Sequence, residues 1–513
     1  MSGVLVFLCI SLDSGVFRMM SSYPCGGRPL TGVAHLIACV FAIMICPTTP
    51  FPSARAEAPL PRPPVTVPTF TPTRPNILLI VADDLGWADV GWHQGFGKTP
   101  AMDRLVAEGV ELDRHYVQPV CTPTRTALMS GRYPGRFGPQ ALKPSNLRAM
   151  SPDTLTLPSA LQSLGYETSQ CGKWHLGAKS EWGPNAFGFE HSYGTLTGAA
   201  DPCTHFYRRG SFLDTCHRDG RFFQEKGNAT ELVAAEAVSR IRGGRMSLEG
   251  RRVPWFVYVP FHAVHTPVDA PDAYKRLYDG VVFDADPEKQ ASRLRLAAMV
   301  SQLDAKIGEL VAAVEATGQR SNTLIIFSSD NGGRERAGNP YVGDVPSSPL
   351  NSENAPLRGG KNELYEGGIR VCAFANWSSV LPAGKSLAVM HAVDWFPTVA
   401  GIVGFEPPAT AHWDGVNRWP ALCGKAVTAR PRPIYIAHSK GAVIIDDDWK
   451  LIDRPDRKQV ELFHLAADPY EQVDVAGDRP DQVSRLKQLL TAERLLDVGD
   501  IPADLVGAEH GPE

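Results

Sequence analysis

The chain has 513 residues, an apolar fraction of 43%, a charged fraction of 21% and a formal net charge of -4. This length accommodates one large α/β domain and a smaller second domain. The slightly acidic balance gives no basis for nucleic-acid binding, and no block of like charges indicates an interaction tail. Composition is therefore that of a soluble globular protein of enzyme size and indicates no chemistry.

The N-terminal segment has the order of features that is typical of a secretory signal. A basic residue precedes a mostly apolar stretch, Leu30 to Ile45, and a Pro-, Ala- and Ser-rich segment then ends in Ala54-Arg55-Ala56. We predict a signal peptide over residues 1–56, with Met19 or Met20 as alternative starts. The mature protein is then exported, to a periplasmic, extracellular or lumenal location.

Two other interpretations of this segment stay open. The apolar stretch could anchor the chain in a membrane, although it is somewhat short to span a bilayer. Alternatively, Cys39 could be lipidated, although the apolar run continues past it. We expect no stable membrane span once the signal has been cleaved.

Beyond a Pro- and Thr-rich linker over residues 57–74, short apolar runs indicate strands that are buried on both faces. These runs are Asn76–Ala82, Trp255–Val259 and Thr323–Phe327. Residues 291–317 carry apolar residues at helical spacing and meet Gly318, a typical C-terminal stop. The alternation favours a large mixed, mostly parallel sheet sandwiched by helices, which we assign to residues 75–405 as the catalytic domain.

The remaining residues, 406–513, have shorter apolar segments separated by turn-rich stretches. These segments are Ile434–Ile436, Ala442–Ile445 and Trp449–Ile452. An amphipathic helix is predicted near Val483–Leu496. We therefore expect a smaller C-terminal α+β subdomain with an antiparallel sheet and one helix.

Polar side chains follow each of the three predicted strands. They are Asp83 and Asp84 after the first, His262 and His265 after the second, and Asp330 and Asn331 after the third. In open α/β sheets, ligands bind beyond the carboxyl ends of the strands. The carboxylate and amide oxygens suit calcium or magnesium, and no Cys/His cluster of zinc spacing lies nearby. The alternative is that the acidic residues only terminate strands and face water.

A loop that runs into a helix is predicted over Val120–Gly131. The backbone N–H groups of a first helical turn favour an anionic ligand. Cys121, beside Arg125, could be a low-pKa thiol nucleophile or a disulfide partner. Lys173 and Lys361 add cationic groups that suit an anion, although each lysine taken alone is typical of a solvated surface.

These motifs together resemble the sulfatase family of the alkaline-phosphatase superfamily, most closely its arylsulfatase B-like members. The most specific signature, Cys-x-Pro-x-Arg followed by Met-x-Gly, spans Cys121 to Gly131. The other matching segments are Asp83–Trp87, Gly165–His175, Asp330–Gly332, Lys361, Glu366–Arg370 and Glu461–Glu471. The resemblance runs from about Arg74 to Glu471 and implies an alkaline-phosphatase-like fold.

The resemblance implies a sulfuric ester hydrolase that acts on an aryl sulfate or a sulfated carbohydrate. A formylglycine-generating maturation enzyme would convert Cys121 to Cα-formylglycine, whose hydrated aldehyde is the nucleophile. One of its hydroxyls attacks sulfur, and the other lets sulfate leave by restoring the aldehyde. Calcium would be the second cofactor, held by Asp83, Asp84, Cys121 in its modified form, Asp330 and Asn331.

The resemblance also implies roles for the cationic and titratable residues. Arg125 would orient the modified side chain and stabilise it electrostatically. Lys173 and Lys361 would hold the sulfate oxygens. His265 would protonate the departing alcohol or assist its departure, and His175 would take the proton whose loss releases sulfate.

The sequence departs from the family pattern at two positions. Thr124 stands where serine is usual in the signature, and Cys171 stands where a small aliphatic residue is more common. Cys171 is therefore either a disulfide partner or a buried thiol. In an oxidising compartment, Cys203 and Cys216 could close a short loop.

Two alternative functions stay open at this point. One is hydrolysis of phosphodiesters or phosphonate monoesters by an enzyme of the same superfamily. The other is a binding homologue that keeps the fold, is not matured and does not catalyse.

Overall fold

The computed structural model describes residues 74–207, 214–250, 252–336, 348–425 and 430–508. The predicted signal peptide and the linker up to residue 73 lie outside these residues. The described residues belong to one compact unit, Thr69–Glu513. Among the helices in these ranges, none has the length and apolarity needed to cross a bilayer.

The strands form a large mixed sheet, a four-stranded antiparallel sheet and a two-stranded ladder. In chain order the strands are β1 (Asn76–Ala82), β2 (Val110–Leu112), β3 (His115–Tyr116), β4 (Glu167–Lys173), β5 (His191–Thr195), β6 (Cys216–Arg218), β7 (Arg221–Phe222), β8 (Trp255–Pro260), β9 (Thr323–Ser329), β10 (Ala373–Asn376), β11 (Gly384–Ser386), β12 (Met390–His391), β13 (Ile434–His438), β14 (Gly441–Asp446), β15 (Trp449–Arg454) and β16 (Gln459–His464). The α-helices are α1 (Pro100–Ala107), α2 (Cys121–Ser130), α3 (Leu157–Ser163), α4 (Ala229–Gly243), α5 (Asp272–Lys275), α6 (Pro287–Ala316), α7 (Glu366–Ile369), α8 (Trp395–Val403), α9 (Trp419–Leu422) and α10 (Pro480–Arg494).

Within the described residues the large sheet has the strand order β11-β2-β10-β9-β1-β8-β4-β5-β6-β7. The central strands from β9 to β5 are parallel to one another. The flanking strands β10 and β6 are antiparallel to this core. The three strands predicted from apolar runs are the adjacent β9, β1 and β8, so the predicted mostly parallel sheet is confirmed.

The central strand β1 is buried on both faces, and its side chains alternate between two cores. Ile77, Leu79 and Val81 pack in the core that contains α2, α3 and α8. Leu78 and Ile80 pack in the core that contains α1, α4 and α6. Each fully buried aliphatic side chain contributes about 1.5–3 kcal/mol relative to exposure. Helices on both faces therefore stabilise the strand and confirm the predicted sandwich.

The long helix α6 begins four residues earlier than predicted. Asp286 caps it by accepting hydrogen bonds from the N–H groups of Glu288 and Lys289, and Pro287 occupies the first helical position. At the other end, Gly318 has φ +70 degrees in the left-handed region, where glycine is favoured. The cap, rather than the first apolar residue, sets the start of the helix.

The four-stranded sheet confirms the predicted C-terminal antiparallel sheet and adds β16, which the apolar segments did not indicate. One face of this sheet packs against Tyr116, Leu364 and Ile369 of the preceding part of the chain. The other face packs against Leu486 and Leu490 of α10. The sheet is therefore buried between its own helix and the larger α/β part.

The described cysteines are all free thiols, so the disulfide considered between Cys203 and Cys216 is not formed. Cys203 is exposed, whereas Cys216 is buried. Cys171 lies in β4 with no exposed surface, as a buried thiol rather than a disulfide partner.

Candidate active site

The carboxyl ends of four neighbouring parallel strands meet at one edge of the large sheet. Asp83 and Asp84 follow β1, Asp330 and Asn331 follow β9, His262 and His265 follow β8, and β4 ends at Lys173 with His175 two residues later. Backbone hydrogen bonds join these ends, from Asp330 N to Ala82 O at 3.0 Å and from Asp83 N to Ala263 O at 3.0 Å. The sheet therefore brings together side chains that are far apart in the sequence.

Helix α2 begins at Cys121 and all ten of its residues are buried. The charged groups that act on the thiol are Lys173, Lys361, Asp330 and Asp83. Burial raises the pKa of the Cys121 thiol, and the two lysines do not offset this effect. The structure therefore does not favour a low-pKa thiolate as the nucleophile.

Arg125, one turn into α2, holds two strand ends together. Its Nη2 and Nε groups donate to Asp330 Oδ2 at 2.7 and 3.1 Å, and its Nη1 donates to the Lys173 carbonyl at 3.1 Å. Asp83 Oδ2 lies 3.9 Å from Nη2. All these side chains are buried, so the ion pairs offset the cost of removing their charges from water.

The two lysines are not solvated surface residues. Lys173 is fully buried and its Nζ lies 2.6 Å from Asp83 Oδ2. Lys361 Nζ lies 2.5 Å from Asp84 Oδ1, with only 10% of its side chain exposed. The structure therefore brings both predicted cationic groups to the same edge as the carboxylates.

The oxygen donors at this edge fit a hard cation. Asp83, Asp84 and His265 offer ligand atoms that all lie within 4.8 Å of one another. Asp83 Oδ1 and Asn331 Oδ1 are buried without a hydrogen-bond partner among the described residues. Unpartnered buried oxygens are costly unless a ligand satisfies them, and calcium prefers oxygen ligands. Among these groups, only His265 had not been predicted as a ligand.

The carboxyl groups differ in their electrostatic environment. Burial opposes ionisation of Asp84, but the ammonium of Lys361 and then His265 hold its pKa below the usual range. Burial and the neighbouring charge of Asp83 raise the pKa of Asp330 to about 6, although Arg125 opposes the shift. Such separated values within one cluster are typical of functional sites.

Two histidines predicted to transfer protons face this edge. Burial, and then the charge of Lys173, lowers the pKa of His175 well below its usual value, and its Nδ1 has no partner among the described residues. Burial lowers the pKa of His265 to about 3. His265 Nδ1 donates to the Thr266 carbonyl at 2.6 Å, so the neutral ring presents an unprotonated Nε2. This nitrogen lies 3.7 Å from Asp84 Oδ2.

Sequence reasoning missed Ser352 and Asn354, which support this edge of the sheet. Asn354 bonds both backbone groups of Gly333, at 2.8 and 2.9 Å. The same Gly333 carbonyl accepts from Lys361 N at 3.1 Å. Ser352 Oγ donates to the Asp84 carbonyl at 3.2 Å. The run of polar residues at 351–354 was the only signal, and its partners are not visible from the sequence.

The glycine pairs Gly332-Gly333 and Gly367-Gly368 lie on two backbone segments that approach each other closely. A Cβ at Gly332 would lie 1.7 Å from the Gly367 carbonyl oxygen, and Gly332 N donates to Gly368 O at 3.0 Å. These glycines therefore permit a close crossing of the two backbone segments.

The comparisons with known proteins agree with this geometry. A family model described as Sulfatase matches residues 75–405. Mouse arylsulfatase J is 30% identical over 82% of this chain and 75% of its own length. Pig N-acetylgalactosamine-6-sulfatase is 30% identical over 71% of this chain and 69% of its own length.

Solved structures also match this chain over most of its length. The crystal structure of Ps i-CgsB in complex with k-i-k-neocarrahexaose has a TM-score of 0.74 and 30% identity, over 84% of this chain and 94% of that chain. A phosphonate monoester hydrolase from Silicibacter pomeroyi, with a TM-score of 0.58 and 16% identity over 84% of this chain and 97% of that chain, shares the fold. The chain is a sulfuric ester hydrolase and belongs to the sulfatase family, with the alkaline-phosphatase fold.

Proposed function

We propose that this sulfatase cleaves sulfate esters of carbohydrates, with a formylglycine made from Cys121 as nucleophile and calcium as cofactor. The observation that carries the proposal is the meeting of Asp83, Asp84, Asp330 and Asn331 around the start of α2. Two of their buried oxygens have no hydrogen-bond partner among the described residues. This arrangement supports a cation held beside the modified Cys121.

The charge balance of the site supports a cation and an anion bound together. Asp83, Asp84 and Asp330 carry three negative charges, and the paired cationic groups Arg125, Lys173 and Lys361 carry three positive charges. A bound dication adds two positive charges; the sulfate ester substrate brings one negative charge and the released sulfate brings two, so the anion offsets part or all of the charge of the cation. Because net buried charge is expensive, joint binding is favoured over either ion alone.

The carbohydrate substrate is inferred from the relatives. The pig relative is named for N-acetylgalactosamine-6-sulfate chemistry, and the structure of Ps i-CgsB contains a neocarrahexaose. Both are 30% identical to this chain. An aryl sulfate would serve as a convenient assay substrate for the same site.

Each cationic residue of the site has a function in the proposed reaction. Lys173 and Lys361, released from their carboxylate partners, would hold two sulfate oxygens in a largely buried site, where fixed charges act most strongly. Arg125 keeps Asp330 and the end of β4 in place and stabilises the oxygen of the modified Cys121. When bound, calcium would neutralise developing charge and lower the pKa of a coordinated hydroxyl.

The two proposed proton-transfer residues differ in how their imidazole rings are held. His175 is held neutral, as a base must be, and we propose that it takes the proton whose loss releases sulfate. His265 would protonate the leaving alcohol only as an imidazolium, because its Nδ1 proton is engaged by Thr266. We therefore propose that bound substrate, with its added negative charge, raises the pKa of His265.

The maturation step can be tested directly by mass spectrometry. Trypsin releases Cys121 in the peptide His115–Arg125. We expect formylglycine in this peptide from protein purified from its native host. An unmodified thiol there would favour the alternative of a binding homologue that is not catalytic.

A Cys121→Ala variant separates catalysis from cation binding. We expect it to lose turnover of an aryl sulfate while it still binds calcium, measured by calorimetry. Retained turnover would contradict the nucleophile assignment. For the wild-type protein, faster turnover of an aryl phosphodiester than of the aryl sulfate would favour the phosphodiesterase alternative.

Export to a periplasmic, extracellular or lumenal location is part of the same proposal. It rests on the N-terminal sequence, with cleavage after Ala56. N-terminal sequencing of the mature protein tests it. A mature chain that retains Leu30–Ile45 would instead support the membrane anchor.

A further inference from the structure

A second group of buried charges joins the C-terminal sheet to the larger α/β part. Lys450 of β15 places its Nζ 2.9 Å from Glu366 Oε1 and 2.6 Å from Glu471 Oε1. The remaining carboxylate oxygens accept from Tyr116 OH at 3.0 Å and from Glu366 N at 2.6 Å. Lys450, Glu366 and Glu471 have no exposed surface. We call these three residues the Lys450 cluster.

Glu366 is the first residue of the short helix α7, so the Lys450 cluster holds one end of that helix. The following glycines leave no room for movement against their neighbours. A Cβ at Gly367 would lie 2.1 Å from the Gly359 carbonyl oxygen, and a Cβ at Gly368 would lie 2.2 Å from the Glu363 carbonyl oxygen. A displacement of α7 must therefore displace the backbone segments packed against it.

Those segments carry the proposed active site. Gly368 O accepts from Gly332 N at 3.0 Å, directly after Asn331. Gly367 N donates to Arg358 O at 2.8 Å, in the segment that leads to Lys361. Ile369 O accepts from Val117 N at 2.8 Å, in the loop that precedes Cys121.

We propose that Lys450 is a positioning residue, through which the C-terminal subdomain sets the positions of Asn331 and Lys361. This role rests on the function proposed above, in which Asn331 binds the cation and Lys361 holds the sulfate. Lys450 touches neither group itself. Its buried ammonium acts through Glu366 and the glycines of α7, which pack closely against neighbouring backbone.

The Lys450→Met variant tests this role, because methionine keeps a long unbranched side chain and removes the charge. We expect calcium affinity, measured by calorimetry, and kcat on an aryl sulfate each to fall about tenfold to a hundredfold, the usual scale for groups that support metal ligands. A second variant, Lys450→Met with Glu366→Gln, restores the charge count. It should recover part of both losses, which a cavity effect alone would not do.

Lys487→Met is the matched control, because Lys487 is an exposed lysine on α10 of the same subdomain. It should keep wild-type calcium affinity and kcat. A folded Lys450→Met protein with wild-type values for both would overturn the positioning role. If Lys450→Met does not fold, the shape-conserving Glu366→Gln variant decides, and unchanged values there overturn the role equally.

The wild-type protein separates the two proposals. If it binds no calcium and cleaves no sulfate ester, the proposed function fails. If it does both and the Lys450 variants behave like the control, only the positioning role fails.

Discussion

Two groups of buried charges in this protein differ in how completely their polar atoms are paired. At the carboxyl edge of the large sheet, Asp83 Oδ1, Asn331 Oδ1 and His175 Nδ1 have no hydrogen-bond partner among the described residues. In the Lys450 cluster, each carboxylate oxygen lies within 3.0 Å of a cation or a donor. The first group contains buried atoms with no partner of either kind, whereas in the second Glu471 Oε1, which lacks a hydrogen bond, is still paired with the Lys450 ammonium at 2.6 Å.

The difference follows from what each group has to do. A ligand-binding site must keep polar atoms available, and the surrounding fold bears the cost of their burial. A group that only holds parts of a protein together is most stable when every polar atom is satisfied. Pairing is therefore a better guide to function here than burial, which both groups share.

The largest expected effect comes from removing the guanidinium that holds the first group together. Arg125→Met leaves Asp330 buried without its 2.7 Å ion pair. We expect a loss of about 3–5 kcal/mol in the free energy of unfolding, since breaking a buried pair strands a charge, and no measurable turnover. Urea unfolding and an aryl sulfate assay check this. Arg485→Met, which breaks the half-exposed pair with Asp446, should cost less than about 1 kcal/mol.

Cation binding should distinguish the first group from every other buried carboxylate. At a calcium concentration of about 100 times Kd, we expect the wild-type protein to gain about 2.7 kcal/mol of stability, and a chelator should remove the gain. Asp83→Asn should lose this response. Asp304→Asn, a buried carboxyl that instead binds the N–H groups at the start of α1, should keep it. Equal stabilisation of the two variants by calcium in thermal unfolding would contradict this expected difference between the carboxylates.

Substitution of Thr124 tests how the start of α2 is held, because its hydroxyl binds the backbone that precedes the helix. It accepts from Gln118 N at 3.0 Å and donates to Gln118 O at 3.2 Å in a fully buried position. Thr124→Val should cost about 1–3 kcal/mol, because it leaves buried backbone groups unpaired. Thr124→Ser keeps both hydrogen bonds and should cost distinctly less. Urea unfolding of the pair measures the difference, and a larger loss in Thr124→Ser, which lacks the methyl group, than in Thr124→Val would contradict the role of the hydroxyl.

The last expected effect is a change of pH dependence in the Lys450 cluster. Burial raises the pKa of Glu471 from 4.5 to about 7, although the Lys450 ammonium opposes the shift. The folded protein then holds this proton more tightly than the unfolded chain does. The resulting stability is complete below about pH 4.5 and is lost as the pH rises through about 7.

Glu471→Gln should remove this contribution, so Tm should fall less than in the wild-type protein as the pH rises across that interval. Thermal unfolding over a pH series checks the expectation. Glu309→Gln, which alters a half-exposed carboxylate paired with Lys306, should keep the wild-type dependence of Tm on pH. If Tm of the Glu471→Gln variant depends on pH as in the wild-type protein, the cluster does not titrate near neutral pH.

Much of the fold could be predicted because the relevant signals are local. The uninterrupted apolar runs of β1, β8 and β9 indicate strands buried on both faces, and the structure places them side by side. The strand β4 was not predicted as such, because its residues Glu167–Lys173 are mostly polar and its burial comes from tertiary packing. The strand β16 was likewise not predicted, because apolar and polar residues alternate only weakly in its sequence.

The sequence by itself determined the family, the mostly parallel sheet and the residues that meet beyond its strand ends, because motif spacing and strand polarity are local properties. Only the tertiary structure decided which polar atoms stay unpaired, that the two lysines are buried against carboxylates, and that His265 presents an unprotonated nitrogen. It alone also brought Lys450 to Glu366, 84 residues apart in the chain. Such pairings depend on how distant segments pack, and no local pattern of residues encodes them.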